Sequence, residues 1–121
     1  MFSHEMNLII SENDAPGHGK AAPDRKVLFA GCAHSGIINI TDRAREITGD
    51  QITHAICGMH LMNPLITKSV TTQVEELGNR LTEQPIQYYA CHCTGQNEYK
   101  ILRSVMGEQI KYAATGSLID I

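Results

Sequence analysis

The sequence predicts an α/β fold with a mixed sheet and about three helices, and three observations lead there. Short β-branched apolar runs alternate with segments of helical period, the runs carry apolar residues on both alternations, and the intervening segments are long enough for right-handed crossovers. Asn7 to Glu12 is the first strand, and a stretch of turn formers from Asn13 to Asp24 separates it from the second, Lys26 to Gly31. Within that stretch Gly17-His18-Gly19-Lys20 has a superficial likeness to a phosphate-binding loop. It lacks the earlier glycine, has Ala21 where a hydroxyl belongs and precedes no helical pattern, so it reads as a solvated loop.

Ile37, Ile40, Ala44 and Ile47 fall at helical spacing before Gly49, a residue suited to a helix C-cap. Asp42 and Glu46 lie on that helix's polar face and read as solvated rather than as a catalytic carboxylate pair. Ile52 to Cys57 is the third strand, and Val70, Val74, Leu77 and Leu81 form the stripe of a second helix despite the weakening effect of Gly78. Ile86 to Ala90 is the fourth strand. Tyr99, Leu102, Val105 and Met106 mark a third helix ending at Gly107, and Gln109 to Ala114 and Ser117 to Ile121 are expected as closing strands. The predicted order is β, β, α, β, α, β, α, β, β, with parallel pairing in the middle and antiparallel pairing toward the termini.

The 121 residues form a single domain, 1–121, with 42% apolar and 19% charged residues. Ten basic against thirteen acidic residues give a net charge of −3, so no global field favours nucleic acid or anionic lipid. No apolar run reaches the ~18 residues of a membrane helix, and no export signal is visible at the N-terminus. The expected setting is therefore cytoplasmic, with the four cysteines reduced.

Three successive strands each run into a histidine, and each is followed by a helix. Lys26 to Gly31 leads to His34, Ile52 to Cys57 to His60, and Ile86 to Ala90 to His92. In parallel sheets the C-terminal strand ends border the ligand crevice, so His34, His60 and His92 are the candidate metal ligands. Neutral imidazole suits Zn, Fe, Ni or Cu. Singly, each histidine reads as a hydrogen-bonded structural residue; three in equivalent places argue for a common role. His54 and His18 lack that placement, and His4 is ambiguous.

Cys91-His92-Cys93 admits a second reading. In extended chain the two thiols share a face and form either a soft-metal or a reactive pair, although Cys32 and Cys57 at comparable strand ends favour packing for all four. CxxC spacing is absent.

Four groups of residues carry a resemblance. They are Phe2-Ser3-His4-Glu5 with Asn7-Leu8; Gly31-Cys32-Ala33-His34-Ser35-Gly36-Ile37 with Asn39; Gly58-Met59-His60-Leu61; and Cys91-His92-Cys93-Thr94-Gly95. In this order they resemble the metallo-β-lactamase-fold hydrolases, in the branch similar to dihydropterin ribofuranosylaminobenzene-phosphate synthases. That branch more often has Gly-Gly-Phe-His-Leu at the third group. The resemblance implies the C-terminal half of an αβ/βα sandwich holding one or two transition ions, zinc first with iron or manganese as alternatives. The hydrolysed substrate would be a small ester, amide or phosphoester. By position His34 matches the family's third metal motif and His92 its last, whereas His60 stands where many relatives place a bridging aspartate.

The family's first metal motif, His-x-His-x-Asp-His, has no counterpart in this sequence, so no general base or other catalytic residue is assigned. The expectation is a half-site needing a partner, either another copy in a homo-oligomer or a chain supplying the N-terminal half. The strands support this: Val27 and Phe29 oppose Leu28 and Ala30, so both sheet faces expect cover, and three helices suffice for one. Two alternatives remain, a non-catalytic metal-binding or self-associating module and a thiol or redox protein built on Cys91 and Cys93.

Overall fold

The computed structural model describes residues 5–12 and 24–121. Five strands form one sheet in sequence order: β1 (Asn7–Glu12), β2 (Arg25–Ala30), β3 (His54–Cys57), β4 (Gln87–Ala90) and β5 (Ile110–Tyr112). β1 pairs antiparallel with β2, and all the other pairs are parallel. The helices α1 (Ile37–Thr48), α2 (Lys68–Thr82) and α3 (Gln96–Met106) are the crossovers between consecutive parallel strands. Because each crossover advances the sheet in one direction with right-handed connection, all three helices stack on one face. His4, His18 and the loop of Gly17 to Lys20 lie outside the described residues.

Local chemistry sets the helix limits. α1 starts after Gly36 and stops at Gly49, whose left-handed φ of 71° allows its N–H to reach the Arg45 carbonyl. α2 starts where the Thr67 hydroxyl accepts from the Val70 N–H at 3.2 Å, a cap worth about 1 kcal/mol. Gly78, a weakness in helix propensity, has a packing reason. A Cβ there would stand 3.3 Å from the Val105 side chain of α3, so the absent side chain lets α2 and α3 approach closely.

The core lies between the helices and one sheet face. Leu28, Ala55, Cys57, Tyr88 and Ile110 from the strands meet Ile40, Val74, Leu81 and Leu102 from the helices. Lys26 is also buried on this face, its ammonium 2.7 Å from the Asp50 carboxylate. Ile47, expected on the buried stripe of α1, is instead 66% exposed, because α1 packs through Ile37, Ile40, Thr41 and Ala44, and Ile47 lies beyond that contact.

Two expectations at the C-terminal end are corrected. The last strand, β5, is parallel to β4 rather than antiparallel, since α3 returns the chain to the starting end of the sheet. Ser117 to Ile121 forms no strand. The segment turns at Ala114 to Ser117 and runs across the helix-free face, lining a cavity with Tyr89 and Lys111, and its terminal residue accepts a hydrogen bond from Arg25 of β2. The chain therefore covers part of its own second face. The rest carries Leu8 and Ile10, 58% and 48% exposed, beside half-buried Val27, Phe29 and Ile56.

Candidate metal centre

Parallel register places Ala30, Cys57 and Ala90 side by side, so the loops after β2, β3 and β4 emerge together at one mouth of the sheet. Each loop contains a non-glycine residue with left-handed backbone: Ala33 at φ 52°, His60 at φ 51° and His92 at φ 49°. Such conformations cost of order 1 kcal/mol or more and persist where the surroundings over-determine them.

The surroundings here are specific. Five consecutive backbone N–H groups of the β3 loop are bound by the β4 loop and the start of α3. Met59 donates to the Thr94 hydroxyl, His60 to the Cys93 sulfur, Leu61 and Met62 to the Cys93 carbonyl, and Asn63 to the buried Glu98 carboxylate. The β2 loop is fastened separately: the Glu5 carboxylate accepts from the His34 and Ser35 N–H groups. Burial acts to raise the Glu5 pKa, but the hydrogen bonds from Ser35 and His34 and the nearby His34 charge outweigh it. The carboxyl is held below its ordinary value.

Gly58 is the pivot between the loops. A Cβ there would lie 2.5 Å from the Gly31 carbonyl oxygen and 2.9 Å from the Cys93 sulfur. With no side chain at this point, its N–H donates to Gly31 at 2.8 Å and the β2 and β4 loops meet over the end of β3.

The three sequence-predicted histidines all stand at this mouth, exposed, in two arrangements. The His34 and His60 rings are 4.3 Å apart between centroids and tilted by 57°. His92 is grouped with two cysteines: one ring nitrogen of His92 and the sulfurs of Cys32 and Cys93 lie within 4.8 Å of one another. This donor set fits a transition ion, since two sulfurs and one imidazole nitrogen offer a soft-to-borderline coordination set with room for a further ligand. Among the described residues it is the group of three donors that meets this spacing.

The Cys32 and Cys93 pairing is missed by a linear reading. Residues 92–94 form a single 3₁₀ turn rather than extended chain, so Cys91 and Cys93 do not share a face as a strand would dictate. Cys91 instead continues the ladder, its N–H donating to the Cys57 carbonyl. The signal available in the sequence is positional: Cys32 and Cys93 lie two and three residues beyond aligned strand ends, close to the two to four residues of the histidines.

Burial pushes Cys57 and Cys91 up; for Cys93 burial and the neighbouring Cys32 outweigh the hydrogen bond from the His60 N–H. For Cys91 and Cys93 this is opposite to the shift that activates a nucleophilic thiol. His54, on the helix-free face, is held below its ordinary value by burial and by Arg25, with its ring 6.5 Å from Tyr89.

No helix among the described residues is long and apolar enough to cross a membrane. No protein-family model and no curated protein matches the chain. Among solved structures, it is similar to the crystal structure of Tm1679, a metal-dependent hydrolase of the beta-lactamase superfamily, with a TM-score of 0.58 and 22% identity. The match covers 79% of this chain and 36% of that one, so this chain corresponds to little more than a third of the neighbour's length. The α/β architecture, with its five-stranded mixed sheet and three helices, is similar to part of that neighbour's fold.

Proposed function

We propose that this chain contributes one side of the metal centre of a metal-dependent hydrolase of the metallo-β-lactamase superfamily, with His34, His60 and His92 as its imidazole donors. The observation that carries the reading is the His34 and His60 ring pair, 4.3 Å apart, on loops that converge at the carboxyl ends of parallel strands beside His92. A transition ion held there, zinc or alternatively iron or manganese, supplies Lewis acidity and a nucleophile at neutral pH, with a water pKa lowered toward ~7.

The chain's own groups do the positioning. Glu5 fixes the backbone at His34, and the Cys93 sulfur and carbonyl fix the backbone at His60 and the two residues after it. Among the described residues we assign no general base, so in this reading turnover requires groups from elsewhere. The helix-free face, with Leu8 and Ile10 exposed, is where we place the completing partner, another copy or a chain bearing the His-x-His-x-Asp-His motif. The substrate class is a small ester, amide or phosphoester.

Co-expression with a chain carrying the missing motif tests this. The expected result is a co-purifying complex with metal-dependent hydrolysis that is lost on His34→Ala or His60→Ala. A partner that binds without turnover, while metal stays bound through the histidines, would instead favour the non-catalytic metal-binding module. A chain that ignores every such partner and holds no metal would overturn both.

A further inference from the structure

We infer that Cys32, Cys93 and His92 form a thiolate-rich site for one soft or borderline divalent ion, of the Zn²⁺ class, which the chain assembles without any partner. The inference goes beyond the hydrolase reading, because it requires neither turnover nor the imidazole pair of His34 and His60. It also bears on His92, which in the isolated chain is grouped with the sulfurs rather than with the other two rings.

Three independent features converge. The donor atoms of the three residues already lie within 4.8 Å of one another, a spread that small side-chain rotations contract to bond lengths near 2.3 Å for sulfur and 2.0–2.1 Å for nitrogen. The Cys93 sulfur is placed by backbone rather than by mobile side chains: it accepts from the His60 N–H at 3.3 Å, donates to the Cys32 carbonyl at 3.6 Å, and fits because Gly58 has no Cβ. Finally, His92 is held in left-handed backbone, with the 3₁₀ turn carrying its ring and the Cys93 sulfur to the same side as Cys32.

Binding is balanced by proton release. The two thiols give up their protons to solvent, the ion takes two sulfurs and one neutral imidazole nitrogen, and the resulting site is neutral with a fourth position open. The His60 N–H then donates to a thiolate instead of a thiol, a stronger, charge-assisted bond. Two sulfurs and one imidazole select against Mg²⁺ and Ca²⁺, which prefer oxygen.

The full chain, reduced and metal-free, is titrated with Co²⁺ and read by absorption. The expected result is one ion per chain with sulfur-to-cobalt charge-transfer absorption, lost in Cys32→Ser and Cys93→Ser and persisting when His34→Ala and His60→Ala are combined. Cobalt bound without a sulfur band, or no cobalt bound, would overturn the inference. If the serine variants fail to fold, thiol labelling of the native unmodified chain decides instead: added Zn²⁺ should protect two thiols from alkylation and a chelator should release them. Unchanged labelling would overturn the site. Hydrolysis that survives Cys32→Ser and Cys93→Ser in a completed complex would leave the hydrolase reading intact while separating it from this one.

Discussion

Leu28 and Phe29 are neighbours in β2 that point to opposite faces of the same sheet, and their environments differ. Leu28 is fully buried on the face that carries the helices, whereas Phe29 is half-buried beside the exposed Leu8. The helix-covered face is built by local crossovers, each added as the chain advances by one strand, and beside β1 a groove lined by Ile9, Leu28, Ile40 and Ile47 stays open. Among the described residues, the helix-free face receives the C-terminal segment, anchored at Arg25, which leaves Leu118 98% exposed and Leu8 and Ile10 of β1 exposed. Connection handedness puts the helices on one face; among the described residues no helix covers the other.

Substitution at these adjacent positions gives the largest expected contrast. Leu28→Ala should destabilise the chain by about 3 kcal/mol through lost burial and a residual cavity. Phe29→Ala should destabilise it less, by about 1–2 kcal/mol, because part of that ring is already in water. Denaturant midpoints measured on both variants check the difference, and equal losses would mean that the second face is covered as well as the first.

Acid provides a smaller contrast. His54 on the helix-free face has a folded pKa below its ordinary value of 6.5, from burial and Arg25. Its unfolded form therefore takes up a proton first, so its stability contribution is intact above about pH 6.5 and declines as pH falls through the folded value. Glu5 behaves likewise in a lower window: its folded pKa lies below 4.5, so the clamp on the His34 loop is present above that value and is lost as pH falls. Melting curves across these windows should show His54→Gln removing the upper decline and Glu5→Gln the lower one.

Leu8→Ser combined with Ile10→Ser should move stability least, within about 0.5 kcal/mol, since both side chains are exposed in the single chain. Their effect should appear instead in association. Light scattering should show the variant less prone to self-associate or to hold a completing chain; unchanged association would place the partner surface elsewhere.

The sheet and the three helices were legible because alternation and helical period are local properties, and the β2 and β3 strand ends are marked by Gly31 and Gly58. Ile47 lies on the stripe yet is exposed, because periodicity defines a stripe without saying where along it the contact with the sheet stops. Ser117 to Ile121 has the composition of a strand, yet a strand needs an edge with free partners in register. The chain instead turns at Gly116 and crosses the open face.

For the site, the sequence by itself determined that three histidines follow three aligned strands, since the register of a parallel sheet makes equivalent sequence positions equivalent places. It also determined, by its two-sided apolar strands, that one face would lack cover from the chain's own helices. Only the tertiary structure decided the grouping: His34 with His60, and His92 with Cys32 and Cys93. That partition depends on left-handed backbone at His60 and His92 and on the space above Gly58. Such conformations are imposed by hydrogen bonds between loops far apart in sequence, where no periodicity or spacing rule reaches.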